Sequence, residues 1–275
     1  MRILTAPDLR STASCVLVPT MGSLHAGHES LLRLARDEAS GRGVSAAATV
    51  FVNPTQFNES SDFDRYPRDL DRDAAICERC GIDVVFAPQP DVVYPPDGPI
   101  AVPELPGVAL EPGLEDAFRP GHFSGVCQVV SRCFELTGAS AAVFGEKDWQ
   151  QLQVVRAMAA SHGGGNVDII PGRTVREADG LAMSSRNLLL SPAARERAGG
   201  ISAALFEAAR EPDRTRAERL LAERLVASGI SPEYAVLRDA ETLLPPDSGD
   251  RPCRLLVAAR VGGVRLIDNT PWVPT

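Results

Sequence analysis

The sequence almost lacks lysine. Of its 28 lysine and arginine residues only one, Lys147, is a lysine. On a solvated face the two cations are nearly interchangeable, so an arginine surface reflects compositional drift, whereas a site that needs a compact ammonium instead of a planar fork resists the exchange. Lys147 is therefore either a surface remnant or a functional group, and its neighbours must decide. Long apolar runs are missing too: nothing approaches 18 apolar residues in a row, and the first residues, MRILTAPDLRSTASCVLVP, hold no apolar core of a secretory signal. No membrane partner and a cytoplasmic location are expected on that ground. Nor is there a basic cluster to offset the net charge of -8, which argues against a nucleic-acid surface and means that an anionic substrate would need a local positive site. The six cysteines (15, 77, 80, 127, 133 and 253) form no framework. Cys77 and Cys80 make one CxxC inside a helical pattern with no second pair, so they read as small apolar residues rather than as a zinc or redox site.

What is present alternates. With 275 residues and 44% apolar content, the chain can build one large core or two smaller ones. CVLVP (15–19) reads as a buried strand and HESLLRLARDEAS (28–40) as a helix stopped by Gly41 and Gly43. VSAAATVFV (44–52) is a continuous apolar run, as expected for a strand of a parallel sheet covered on both faces. A helix over 69–80 and a strand over 82–88 follow, completing βαβαβ. Residues 88–121, rich in proline and glycine, read as a long surface connection. A helix over 123–138, a strand over 140–145, a helix from about 148 to 161 and a strand over 166–172 continue the alternation. From Pro192 the pattern changes to two alanine-rich helices and a hairpin over 253–269 that turns at Gly262 and Gly263. The expected fold is α/β: a Rossmann-like, doubly wound parallel sheet in residues 1–175 and a smaller C-terminal α+β lid domain in 176–275. Ligands of such sheets bind beyond the carboxyl ends of the strands.

Two segments carry chemistry. PTMGSLHAGHESLL (19–32) follows the first strand and holds two of the four histidines, His25 and His28, with Gly22 and Gly27 beside them. A helix N-terminus offers amide donors and partial positive charge to phosphate, and two imidazoles would add donors to an anionic transition state. A metal pair, or two ordinary turn histidines, are the competing readings. LAMSSRNLLLS (181–191) sets two hydroxyls and a guanidinium in succession, able either to clamp phosphates or to cap a helix.

Together HAGH and MSSR resemble the two signatures of the HIGH and KMSKS nucleotidylyl transferase superfamily. PTMGSLHAGH, FVNPTQF, RPGHFSGV, FGEKDWQQL and VREADGLAMSSRN, in this order and at these separations, resemble the pantothenate synthetases, the pantoate:β-alanine ligases, over residues 3–269. The resemblance implies condensation of (R)-pantoate with β-alanine through a pantoyl adenylate, releasing pyrophosphate and AMP. It implies magnesium with ATP but no tight metal site on the protein, and a homodimer. It places ATP against Met21, Gly22, Ser23, Leu24, His25, Ala26, Gly27 and His28, against Gly145, Glu146, Lys147 and Asp148, and against Val175 and Met183 to Arg186. His28, His25, Lys147, Ser184, Ser185 and Arg186 are the implied catalytic groups. Asn53, Gln56 and Gln151, with an apolar wall at Phe57, are the implied pantoate pocket, and Gln56 also adjoins β-alanine. Arg119 and His122 border it. Trp149 stands where the family often has tyrosine, a packing change, and NLLLS replaces an arginine-tyrosine-leucine run. Three rivals remain: a transferase that keeps the AMP on its acceptor, a metal hydrolase using the two histidines, and a nucleotide-binding regulator. Release of AMP only when pantoate and β-alanine both turn over separates them.

Overall fold

The computed structural model describes residues 1–5, 14–57, 63–64, 66–98, 100–161, 167–247 and 251–273. Its larger sheet has six parallel strands: β1 (Arg2–Leu4), β2 (Cys15–Thr20), β3 (Ser45–Val50), β4 (Val84–Phe86), β5 (Ala139–Gly145) and β6 (Asp168–Gly172). Their spatial order is β1-β4-β3-β2-β5-β6, so the chain runs outward from β2 in one direction and then in the other. The reversal between β2 and β5 is the point at which a doubly wound sheet opens a crevice for ligands. Apolar runs become strands here because both faces are covered. Val16 and Val18 pack with α1 (Ala26–Arg42) and α2 (Leu70–Arg79), while Cys15 and Leu17 pack with α3 (His122–Thr137) and α4 (Trp149–Ser161).

A smaller antiparallel sheet follows, in the order β7 (Ser231–Asp239), β8 (Cys253–Val261), β9 (Val264–Pro271). Helices α5 (Pro192–Ala198), α6 (Gly200–Ala208) and α7 (Arg214–Ala227) share its core, in which Ile201, Leu205, Leu221 and Leu225 are fully buried. The fold class is as expected from the sequence. No helix among the described residues is long and apolar enough to cross a membrane.

Several elements differ from the sequence reading, each for a tertiary reason. Helix α1 begins at Ala26, not at residue 28, because His25 caps it. Strand β1 was not expected; its three residues become a strand only by pairing with β4. Residues 88–121 are not a plain surface connection: Val93, Ala109 and Leu114 are buried, and the segment folds into helical turns at Pro90–Val93, Gly107–Ala109 and Glu115–Phe118. Past residue 192 there are three helices among the described residues instead of two. The hairpin is part of a three-stranded sheet, because β7 was hidden by Pro232, which an edge strand tolerates beside its register shift. Cys77 lies buried on α2 and Cys80 at its end, and burial pushes the Cys77 thiol up to about 12. It stays protonated as a packing group.

Candidate active site

Strand β2 ends at Thr20, and the chain turns through Gly22 (φ 77°) and Ser23 (φ 53°) into α1. The turn is held from outside. The carboxylate of Asp73, on α2, accepts from the main-chain N–H groups of Ser23 and Leu24, both at 2.8 Å. Those two residues, expected at ATP, are buried, and neither lines the cleft. His25 then caps α1: its Nδ1 accepts from the N–H of Gly27 at 3.1 Å, while the N–H of His25 donates to Nδ1 of His28 at 3.3 Å. Gly27 is required by this ring. A Cβ there would stand 2.9 Å from Cε1 of His25. Because both Nδ1 atoms are acceptors, each neutral imidazole carries its proton on Nε2. Burial pulls His25 down to about 4 and His28 to about 3, with Lys147 opposing their protonation as well. Two neutral N–H donors therefore stand in the cleft at the mouth of a helix.

Across the sheet reversal, β5 ends at Gly145 and the chain enters a 3-10 turn, Glu146–Asp148, that runs into α4. Lys147 lies on this turn, its side chain 18% exposed, with Nζ 3.6 Å from the Asp148 carboxylate. His25, His28, Lys147 and Asp148 line one cleft. Beneath them is Asp268 of β9, also in the lining, which takes a bidentate pair from Arg176 at 2.6 and 3.0 Å. Burial pushes the carboxyl of Asp268 up, and Arg176 opposes that shift.

The third wall carries amides. Gln56 and Gln151 line the cleft, as do Phe57 and Tyr66, whose rings meet edge to face at 5.7 Å. Asn53 also reaches the lining, and its side chain is engaged by the protein. It is fully buried, its Nδ2 donates to the carbonyl of Gly125, and its Oδ1 accepts from Thr55 and from the Tyr94 hydroxyl at 2.7 Å. Its side chain holds the turn that carries Gln56. Arg119 and His122 do the same from the other side: each donates to the carbonyl oxygen of Gln56, at 3.2 and 3.3 Å. Arg119 also donates to Nε2 of His122 at 3.0 Å, which assigns the His122 proton to Nδ1.

The MSSR segment closes the cleft. The N–H of Met183 donates to the Val175 carbonyl, and an antiparallel bridge joins Arg176 to Ala182, so the intervening EADG folds into a tight return. Val175, Met183, Ser184, Ser185 and Arg186 reach the lining. The capping reading of this segment holds. Ser184 caps the turn Ser185–Leu189 by accepting from the Arg186 N–H, and the segment faces the cleft as well. Gly22, Ala26 and Glu146 lie outside the lining.

The sequence family called Pantoate-beta-alanine ligase matches residues 2–271. The chain belongs to the pantoate–β-alanine ligase family. It is 48% identical to the pantothenate synthetase of Solidesulfovibrio magneticus over 276 residues, which span 98% of this chain and 94% of that protein. It is 50% identical to that of Paracoccus denitrificans over 258 residues, spanning 92% and 88%. The crystal structure of pantothenate synthetase from Thermus thermophilus superposes with a TM-score of 0.90 at 40% identity, covering all of both chains. The pantoate–β-alanine ligase of Francisella tularensis, crystallised in complex with beta-gamma ATP and β-alanine, gives a TM-score of 0.80 at 30% identity over 98% and 97% of the chains.

In this ligase three residues that hold the site were not read from the sequence. Asp73 is one of several acids in DLDRDAAICERC, and nothing local marks it as facing a turn 50 positions upstream. Glu115, which lines the cleft and accepts from Arg265 of β9, sat in an apparent loop. Asp268 had a usable signal, an acid that follows the apolar pair Leu266 and Ile267 in a hairpin strand, because a buried charge in a strand must find a partner.

Proposed function

We propose a division of roles by which this ligase condenses pantoate with β-alanine. In the first half-reaction the carboxylate of (R)-pantoate attacks the α-phosphorus of ATP, forming the acyl adenylate and expelling pyrophosphate. In the second the β-alanine amine attacks the acyl carbon and AMP leaves. A free carboxylate resists an amine because oxide would have to depart, whereas AMP departs readily. The observation that carries the reading is the pair of Nε2–H donors beside Lys147. Neutral imidazoles and a point cation at a helix N-terminus stabilise charge that builds on phosphate oxygens. They do so as hydrogen-bond donors, without transferring a proton. Ser184, Ser185 and Arg186 act on the leaving phosphates from the opposite wall. Gln56 and Gln151 have no charge, so they orient the pantoate hydroxyls and carboxylate without quenching the nucleophile.

Magnesium brought with the triphosphate would supply positive charge to offset the charge leaving on pyrophosphate. Of the cleft carboxylates, Glu115 and Asp268 are engaged by Arg265 and Arg176, and Asp148, whose partner Lys147 stands 3.6 Å away, is the more exposed one that would face it. Residues 1–175 form the nucleotide and pantoate unit and 176–275 the lid; Arg176, already paired with β9, supports a boundary there. The ligase works as a cytoplasmic homodimer, a state that light scattering checks.

The test separates the half-reactions. Gln151→Ala is expected to slow pyrophosphate release from ATP and pantoate by about 10²-fold, the scale of lost positioning, while amine attack on supplied pantoyl adenylate stays nearly intact. Gln56→Ala is expected to slow both. Equal damage to amine attack in the two variants would overturn the placement of β-alanine, and AMP release without pantoate would overturn the reaction.

A further inference from the structure

Lys147 is held in place from the other sheet. Asn269, on β9, is 3% exposed, and its side chain is engaged at both ends. Its Nδ2 donates to the carbonyl oxygens of Glu146 at 2.9 Å and Lys147 at 2.8 Å, and its Oδ1 accepts from Nε of Arg254 at 2.6 Å. Arg254, on β8, lies over the ring of Trp149 at 3.6 Å and reaches the Glu146 carboxylate at 3.5 Å. The Trp149 indole N–H donates to the carbonyl of Ala240 at 2.8 Å, past the end of β7. The lysine turn itself has no side-chain cap. Its main chain is thus gripped at two consecutive carbonyls by one amide, and its following residue, Trp149, is stacked against the guanidinium that orients that amide.

The chemistry of the side chain matters. A primary amide carries two N–H donors on one nitrogen and can bridge adjacent carbonyls; serine has one donor and aspartate has none. An ammonium on a four-carbon stem has rotamer freedom, so its point of departure from the main chain decides which cleft atoms it reaches. Rotation or recoil of the turn would move Nζ while leaving the β5 and α4 cores intact.

We propose that Asn269 is a positioning residue for adenylate formation, acting through the main chain of Glu146 and Lys147 to aim the Lys147 ammonium into the cleft. The C-terminal sheet then does more than cover the substrates: its edge strand sets the geometry of the phosphate-facing cation. The proposal rests on the role given to Lys147 in the first half-reaction.

Single-turnover pyrophosphate release from ATP and pantoate, followed in the parent, Asn269→Ala, Lys147→Ala and the double variant, tests it. Asn269→Ala is expected to slow this step by roughly 10- to 10²-fold, the scale of misplacing a catalytic group by about 1 Å. In the Lys147→Ala background the same change is expected to cost no more than about twofold, because the group it aims is gone. Amine attack on supplied pantoyl adenylate should stay near the parent rate. Equal fold-losses in both backgrounds, or a loss under about threefold in the parent, overturn the proposal. If Asn269→Ala does not fold, Asn269→Asp keeps an acceptor for Arg254 and loses both donors, and the same pattern is required of it. A Lys147→Ala enzyme with parental activity would instead overturn the role of Lys147, so the two failures are distinguishable.

Discussion

At a single side chain, lysine and arginine differ by shape more than by charge. Lys147 sits between a helix N-terminus and Asp268, on a turn whose main chain is held by Asn269. A guanidinium there would bring a wider, forked group into the same space. Lys147→Arg is expected to keep the fold and to lower adenylate formation by on the order of 10²-fold, the cost of one positioned donor, measured as pyrophosphate release at saturating ATP. Activity within a few-fold of the parent would refute the role. The histidines lead to a pH prediction. Burial drops His25 to about 4 and His28 and His122 to about 3, from 6.5. Folded imidazoles therefore bind fewer protons than unfolded ones as pH falls below 6.5, so stability is full above that value and is lost progressively toward pH 3 to 4. The rate of pyrophosphate release, by contrast, should show no imidazole inflection between about pH 5 and 8. An inflection near 6.5 that disappears in His28→Gln would contradict the neutral-donor account.

At the scale of elements, the histidine turn depends on a helix that lines no part of the cleft. Asp73 projects from α2 to bind two buried N–H groups beside Gly22, whose added Cβ would stand 2.7 Å from its Oδ2. Asp73→Ala removes both acceptors, at about 1.5–3 kcal/mol for each bond to a charged group, and frees the turn that presents His25. Chemical denaturation should show that loss, and adenylate formation should fall with it. Asp73→Asn keeps one acceptor and should retain about half of the stability difference. Parental stability in Asp73→Ala would mean that the turn is set by Gly22 and the helix cap alone.

At the scale of the molecule, the two sheets are joined by a buried ion pair. Glu115, in the segment before α3, accepts from Arg265 of β9 at 2.6 and 2.7 Å and from the Tyr234 hydroxyl of β7 at 2.8 Å. Burial alone would raise the Glu115 carboxyl, yet Arg265 holds it below its ordinary value. Arg265→Met would leave that buried carboxylate only the Tyr234 hydroxyl and the more distant Arg119 at 3.6 Å, a loss of up to about 3–5 kcal/mol, whereas Glu115→Gln with Arg265→Met should recover much of it. Thermal unfolding of the single and double variants checks both expectations. A single variant as stable as the parent would show that the pair does not hold the sheets together.

Taken alone, the sequence determined the alternation of strands and helices and the location of the two segments, HAGH and MSSR, that meet at the cleft. Apolar period, glycine stops and clustered histidines are local signals, written within a few residues of where they act. It also singled out Lys147, because one lysine among arginines is visible by composition. What only the tertiary structure decided is how those segments are held. Asp73 reaches the histidine turn from 50 residues away, and Asn269 reaches the lysine turn from 122. Nor could β1 and β7 be read locally, since an edge strand of three residues or one that contains proline exists only through its neighbour. Asn53 shows the same limit: it lines the cleft as its type suggested, but its burial and its four hydrogen bonds with Gly125, Thr55 and Tyr94 could not be read locally. A side chain's chemistry is local, whereas its partners are set by the packing of distant chain, and hydrogen-bond demand in a buried site is met by whichever groups that packing brings near.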